Sequence, residues 1–131
     1  MQWFGKAKRK EIWDEPIEAS IGDLGAAQRI REVCRAAADS AERVGAAADR
    51  THKRVKRDVE RYERAAKTAM EIAMKISDEL LRDAAVRQIV ELCLKAGNVT
   101  TAQTLFRAIQ AKSIRDDLLR EYAALASQQS G

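Results

Sequence analysis

A row of basic residues is the first pattern in this chain whose spacing suggests a chemistry. Apart from one adjacent pair, its members recur at intervals of three or four positions and so lie on one side of a helix: Arg50, Lys53, Arg54, Arg57, Arg61 and Arg64. Such a row, about 20 Å long, could follow a phosphate backbone or lie on an acidic partner. Acidic residues are interleaved with it, and Tyr62 is the only aromatic residue there that could stack on bases. We expect a solvated charged face, with nucleic-acid binding as the alternative.

Residues that usually carry catalysis do not occur in working combinations. His52 is the only histidine, and no metal-ligand spacing surrounds it. Cys34 and Cys93 stand singly at apolar helical positions, which is typical of buried free thiols. The chain has no nucleophile paired with a histidine and no Gly-rich phosphate loop. We predict a protein that is not an enzyme and that uses no cofactor or metal.

Composition predicts a single all-α domain. Of the 131 residues 46% are hydrophobic and 34% charged, whereas only 5% are aromatic and one is proline. The 24 basic residues exceed the 20 acidic ones only slightly, so no strong overall attraction to nucleic acid is implied. No run approaches the roughly 20 apolar residues of a membrane span. We expect a cytoplasmic protein.

Residues 1–20 differ from the rest and form an N-terminal arm. Trp3, Phe4 and Trp13 are three of the six aromatic residues, and a basic run at 6–10 is followed by acidic residues. Aromatic side chains beside cations can rest on an anionic membrane. The acidic residues favour docking onto the protein's own helices instead, so membrane contact is not expected.

An alanine-rich helix is predicted over residues 21–56, with Ser20 and Asp23 as its starting signal. Small or apolar residues recur every three or four positions from Ile30 to Val55 and form a coiled-coil-like seam. Alanine permits close approach but buries little area. The helix therefore needs a partner helix, either from the same chain or from a second copy in a homodimer.

The seam shifts by one residue after Val55, and two structures fit this shift. Residues 24–76 could form one helix of roughly 75 Å. A kink between Gly45 and Thr51 is the alternative. No proline or paired glycine decides between them.

Hairpins are predicted over residues 57–127, with four helices after residue 55. The pair Ser77-Asp78 can cap a helix that runs to about Lys95, where Gly97-Asn98 supplies the left-handed stop. The expected starts of the later helices are Thr100 or Thr101 and Ser113, and the last helix should end near Ser127.

These hairpins also repeat. Residues 69–92 reappear at residues 102–125 with an offset of 33, including the pairs Arg82 and Arg115, Asp83 and Asp116, and Arg87 and Arg120. A period in the low thirties made of two helices indicates stacked helical hairpins. Such arrays usually bind other molecules.

Gly97, Ala102 and Phe106 stand at spacings that resemble the tetratricopeptide repeat family, over about 70 residues. Ile114 replaces the proline that usually ends the family's unit, and Ile109 stands where a small residue is expected. The resemblance implies antiparallel hairpins stacked side by side. A simple helical bundle with accidental periodicity predicts mostly the same helices.

The resemblance implies a peptide-binding groove that contains Arg87, Glu91 and Arg120. Two guanidinium groups on one concave surface could bind the carboxylates of an acidic peptide. The alternative is structural, because Asp83 and Asp116 lie four residues before the two arginines at ion-pair spacing.

The sequence thus predicts a non-catalytic interaction or adaptor module that binds a protein or peptide. The alternative is a nucleic-acid-binding accessory protein that uses the basic face at residues 50–64.

Overall fold

The computed structural model describes residues 11–18, 20–49 and 52–126. These residues form five α-helices and no strand: α1 Gly22–Ala46, α2 Lys53–Ala73, α3 Glu79–Lys95, α4 Val99–Arg107 and α5 Lys112–Glu121. Short 3-10 turns at Ile12–Asp14 and Ala123–Leu125 flank the helices. The predicted all-α class is confirmed.

Two helices, rather than one, occupy the region 24–76. The first ends at Ala46, where the backbone of Ala47 becomes extended, and the second begins at Lys53. His52 caps the second helix, because its Nδ1 accepts a hydrogen bond from the Arg54 amide at 3.3 Å. The chain reverses here, so α1 and α2 pack as an antiparallel hairpin.

The alanine seam of α1 is buried inside this chain. Ala37 and Ala41 are fully buried, and α1 packs against both α2 and α3. Near its end, a Cβ atom placed on Gly45 would lie 2.1 Å from the carbonyl oxygen of Lys95. Alanine and glycine thus bring α1 against the backbone of α3. The internal helix pair accounts for the seam, and a homodimer would need another surface.

An aspartate on α1 holds the turn before α3, and an aspartate on α3 holds the turn before α5. Asp23 accepts hydrogen bonds from the amides of Ser77 and Asp78, at 3.0 and 2.8 Å. Asp83 accepts from the amides of Gln110 and Ala111, also at 3.0 and 2.8 Å. The two turns lie 33 residues apart. The held turns therefore follow the period, whereas Asp23 and Asp83 are 60 residues apart. We call each of these contacts an aspartate clamp.

The clamps correct two expected helix starts. α1 begins at Gly22 without a side-chain cap, because Asp23 binds the distant turn. α5 begins at Lys112, before Ser113, and its first turn also has no side-chain cap. The turn before α5 is thus held by Asp83 of α3, whereas α3 has both the Asp23 clamp and its own local cap, Asp78.

A second contact repeats with the same period. Arg82 donates a hydrogen bond to the carbonyl of Ile76 at 3.3 Å, and Arg115 donates to that of Ile109 at 3.2 Å. Both isoleucines are buried. Each arginine therefore closes the turn that precedes its own helix.

Phe106 fills the core between α3 and α4 and is 1% exposed. The predicted boundary before α4 is confirmed at Gly97, whose φ is 75°. Asn98, and not Thr100 or Thr101, caps α4 by accepting from the Thr101 amide at 3.3 Å. The side-chain amide of Asn98 also donates to the Tyr62 hydroxyl at 3.0 Å, and this bond connects the start of α4 to α2. The last α-helix ends at Glu121, earlier than expected.

Candidate functional site

The helices α1, α3 and α5 share one surface, which we call the first-helix face. A depression of about 240 Å³ lies between α1 and α3; its lining includes Arg31, Arg35, Ala38, Gln88, Glu91, Leu92 and Lys95. Ion pairs from Arg87 continue the surface from α3 to α5.

Arg87 lies at the centre of the α3–α5 part of this face. Its guanidinium nitrogens are 3.7 Å from Glu91, 3.6 Å from Asp117 and 3.2 Å from Glu121. Arg120 pairs with Asp117 on its own helix. The residues predicted for peptide binding, Arg87, Glu91 and Arg120, therefore lie together, but carboxylates of this chain already surround both arginines.

The ion pairs differ from the local ones that the spacing predicts. Asp83 belongs to a clamp, and Asp116 accepts from Lys112 at 2.9 Å, a contact that holds the pKa of Asp116 below its usual value. Glu91 accepts from the Tyr122 hydroxyl at 3.2 Å. Partial burial, together with that carboxylate, raises the pKa of Tyr122. This part of the face is a cross-linked network.

The α1 side of the face is different. Arg31 and Arg35 lie one turn apart and are exposed, and neither has a carboxylate within 4.0 Å among the described residues. Lys95, opposite them, is 4.0 Å from Glu42. Two guanidinium groups are therefore available for a ligand.

Apolar groups form the floor beneath these cations. Leu92 is buried, and Cys34 is 8% exposed. Burial raises the pKa of the Cys34 thiol to about 12, so it stays protonated and is a poor nucleophile at neutral pH. The depression combines cations with an apolar floor and with one carboxylate, that of Glu91, which pairs with Arg87.

Sequence reasoning missed this depression because the period of 33 does not extend to α1. One local signal was present. Arg31 has no acidic residue three or four positions away, whereas most arginines of this chain do.

The N-terminal segment pairs with the last two of the six residues of the basic row. Arg61 forms a bidentate pair with Glu11, at 2.9 and 3.2 Å, and Arg64 pairs with Asp14. Trp13 is buried beside them. The expected docking of the arm is observed for this part of it, while Trp3 and Phe4 lie outside the described residues.

The earlier residues of the row that the structure describes remain exposed. Lys53, Arg54 and Arg57 line a depression of about 390 Å³ together with the bidentate pair of Arg43 and Asp58, at 3.0 and 3.1 Å. That pair holds the pKa of Asp58 below its usual value. Arg50 lies outside the described residues.

Comparisons with known proteins add no family. No family model, no curated protein and no solved structure matches this chain. In the described ranges no group of three or more His, Cys, Asp or Glu residues could hold a metal ion. Nor is any helix of those ranges long and apolar enough to cross a membrane.

Proposed function

We propose that this chain is a non-catalytic interaction module whose first-helix face binds an acidic segment of a partner protein. The observation that carries the proposal is the pair Arg31 and Arg35, which are exposed and without carboxylate partners over the floor at Leu92. A guanidinium can bind a carboxylate through two parallel hydrogen bonds. The floor can take an apolar side chain of the same segment.

The residues predicted from the repeat-like pattern have a secondary place in this proposal. Arg87 and Arg120 share their part of the face with Glu91, Asp117 and Glu121. A ligand carboxylate would have to compete with these groups. We propose that the segment enters at α1 and that Arg87, Glu91 and Arg120 contact its far end.

A tetratricopeptide-like stack in the cytoplasm is part of the same proposal. Two observations support the stack: the arginine-closed turns repeat with the 33-residue period, and the turns held by the clamps lie 33 residues apart. The buried free thiols Cys34 and Cys93 are consistent with a reducing compartment.

Nucleic-acid binding by the basic face of α2 is the alternative proposal. Its support is the exposed group Lys53, Arg54 and Arg57. The pairs at Arg61 and Arg64 shorten the row that could follow a phosphate backbone. Affinity that falls steeply with salt would be expected for this alternative.

The test begins with partners recovered from the native host on the full-length chain, with nuclease treatment as one arm. The affinity of a recovered protein is then measured for the variant R31A/R35A and for the matched control R54A/R57A, which removes the same charge. Charged hydrogen bonds contribute about 1.5–3 kcal/mol each, so we expect at least tenfold weaker binding for R31A/R35A and at most a twofold change for the control.

A third variant, R87A/R120A, locates the far end of the ligand. We expect a smaller loss of affinity than for R31A/R35A, because these arginines already have carboxylate partners. Equal losses for all three variants would show that only net charge matters and would contradict the proposal. A partner that is lost on nuclease treatment and is sensitive to R54A/R57A would support the alternative.

A further inference from the structure

Residues 11–18 form a strap that crosses the α1–α2 hairpin and is held mainly by its side chains. Its backbone amides bond within the segment, from Asp14 to Glu11 at 2.9 Å and from Glu15 to Ile12 at 3.3 Å, and the Glu18 carbonyl at its end accepts from the Ile21 amide at 3.1 Å. Among the described residues one bond joins the strap backbone to a helix, from Arg29 to the Glu15 carbonyl at 3.4 Å. The strap can therefore dissociate from the helices without breaking a series of backbone–backbone hydrogen bonds.

Trp13 is the anchor of the strap. It is 5% exposed, and the guanidinium carbon of Arg61 lies 5.1 Å from the centroid of its ring. Its Nε1–H group is buried and has no acceptor within the described part of the chain. We call the space that the indole fills the slot. Packing and the Arg61 guanidinium hold the indole there, while the missing hydrogen bond of Nε1–H weakens the attachment.

Two carboxylates fix the strap on either side of this ring. Glu11 accepts from Nε and Nη2 of Arg61, while Nη1 of the same guanidinium donates to the buried hydroxyl of Ser40. Asp14 pairs with Arg64, one turn further along α2. The helices therefore provide an aromatic slot beside Arg61, which Ser40 also holds, and Arg64, which pairs with Asp14.

We propose that this slot is an exchangeable docking site for a partner protein segment with the chemistry of the strap, an aromatic residue flanked by acidic ones. The strap itself defines what the slot accepts: Glu11, Trp13 and Asp14 satisfy both arginines and fill the space between them. The strap occupies the slot intramolecularly and competes with the partner. A weakened strap therefore gives the partner a higher apparent affinity.

The site is separate from the proposed first-helix face. Its arginines are on α2, whereas the depression described above is lined by α1 and α3. A failure of one proposal therefore leaves the other standing, and the variant R31A/R35A should not change binding at the slot.

The test uses a fluorescently labelled peptide with the sequence of residues 9–18 as the probe, added to full-length chains. The variant E11Q/D14N removes the two strap carboxylates and leaves Trp13 in place. The matched control is E15Q/E18Q, which makes the same charge change at two exposed glutamates of the strap. We expect E11Q/D14N to bind the probe at least tenfold more tightly than wild type or the control.

A second probe with alanine in place of the tryptophan should lose this binding. Equal affinity of both probes, or equal affinity of E11Q/D14N and E15Q/E18Q, would overturn the proposal. Circular dichroism checks that each variant keeps its helices. Should E11Q/D14N unfold, the single variant D14N at the more exposed pair carries the test, with E15Q as its control and the same required difference.

Discussion

The hairpins α1–α2 and α3–α4 are stabilised in different ways. The α1 seam is made of small residues, with Ala37 and Ala41 fully buried and Gly45 against the backbone of α3. The α3–α4 seam is filled by a phenylalanine ring, Phe106. Small residues bury little area, so the first hairpin depends on close approach. The second depends on the size of its side chains.

Arginine side chains make the main polar contacts of the first hairpin. The first hairpin is held together by Arg43 with Asp58 and by Arg61 with Glu11 and Ser40. These contacts engage Arg43 of α1 and Arg61 of α2 and leave Arg31 and Arg35 exposed on the outer face of α1. The hairpin with the alanine seam thus also carries the unpaired arginines.

The largest effect is expected for Phe106→Ala. Removal of a fully buried ring leaves a cavity and should lower the free energy of unfolding by about 3–5 kcal/mol, a large part of the stability of such a domain. Urea titration followed by circular dichroism measures the change. Met74→Ala, at a side chain that is 69% exposed, is the control. A loss under about 1 kcal/mol would contradict a seam that depends on side-chain size.

A smaller loss is expected for Gly45→Ala, which tests close approach in the first hairpin. The new Cβ would lie 2.1 Å from the backbone oxygen of Lys95, so α1 and α3 must separate. We expect a loss of about 1–3 kcal/mol, measured in the same urea titration. Gly25→Ala is the matched control, because its Cβ meets only the movable side chain of Ile21. Equal stabilities of the two variants would show that the approach at Gly45 is unimportant.

The smallest effect concerns acid stability at the clamp of the first hairpin. Two backbone hydrogen bonds hold the pKa of Asp23 below its usual value. A carboxylate whose pKa is lowered by folding stabilises the protein above its unfolded pKa of about 3.9, and this stabilisation is lost as pH falls through the folded value. We therefore expect Asp23→Asn to reduce the drop in melting temperature between pH 6 and pH 2.

Asp39→Asn, at an exposed carboxylate of the same helix, is the control for this measurement. Asp58 and Asp116 also have lowered pKa values, so part of the acid dependence should remain. An unchanged drop in Asp23→Asn would show that the clamp contributes no acid-sensitive stability.

Local signals predicted the boundaries that depend on neighbouring residues. Asp78 caps α3 by accepting from the Leu81 amide at 2.8 Å, and Gly97 ends it in the left-handed conformation. Both effects act within one helical turn, so the sequence is sufficient. The break at 47–52 carries no such signal, since no proline or paired glycine occurs there. It depends on the packing of α2 back onto α1.

The candidate sites show the same limit of local sequence signals. The period placed Arg87 and Arg120 on related helices, and the structure brings them together. It could not show that Asp117 and Glu121 neutralise Arg87, because these contacts join different helices. The pair of Glu11 and Arg61 joins residues 50 positions apart, and no local pattern links such distant side chains.

The helical class, the boundaries at Asp78 and Gly97 and the repeat of related side chains could be read from the sequence, because these follow from composition and from spacing within one or two turns. Which charges remain free depends on how the helices pack. Asp83, which resembles a local ion-pair partner, instead holds distant backbone amides, and the strap pairs with the last two residues of the basic row. A charged side chain binds whichever opposite charge or amide the packed helices bring within about 3 Å. The free arginines of α1 are those that no such partner reaches.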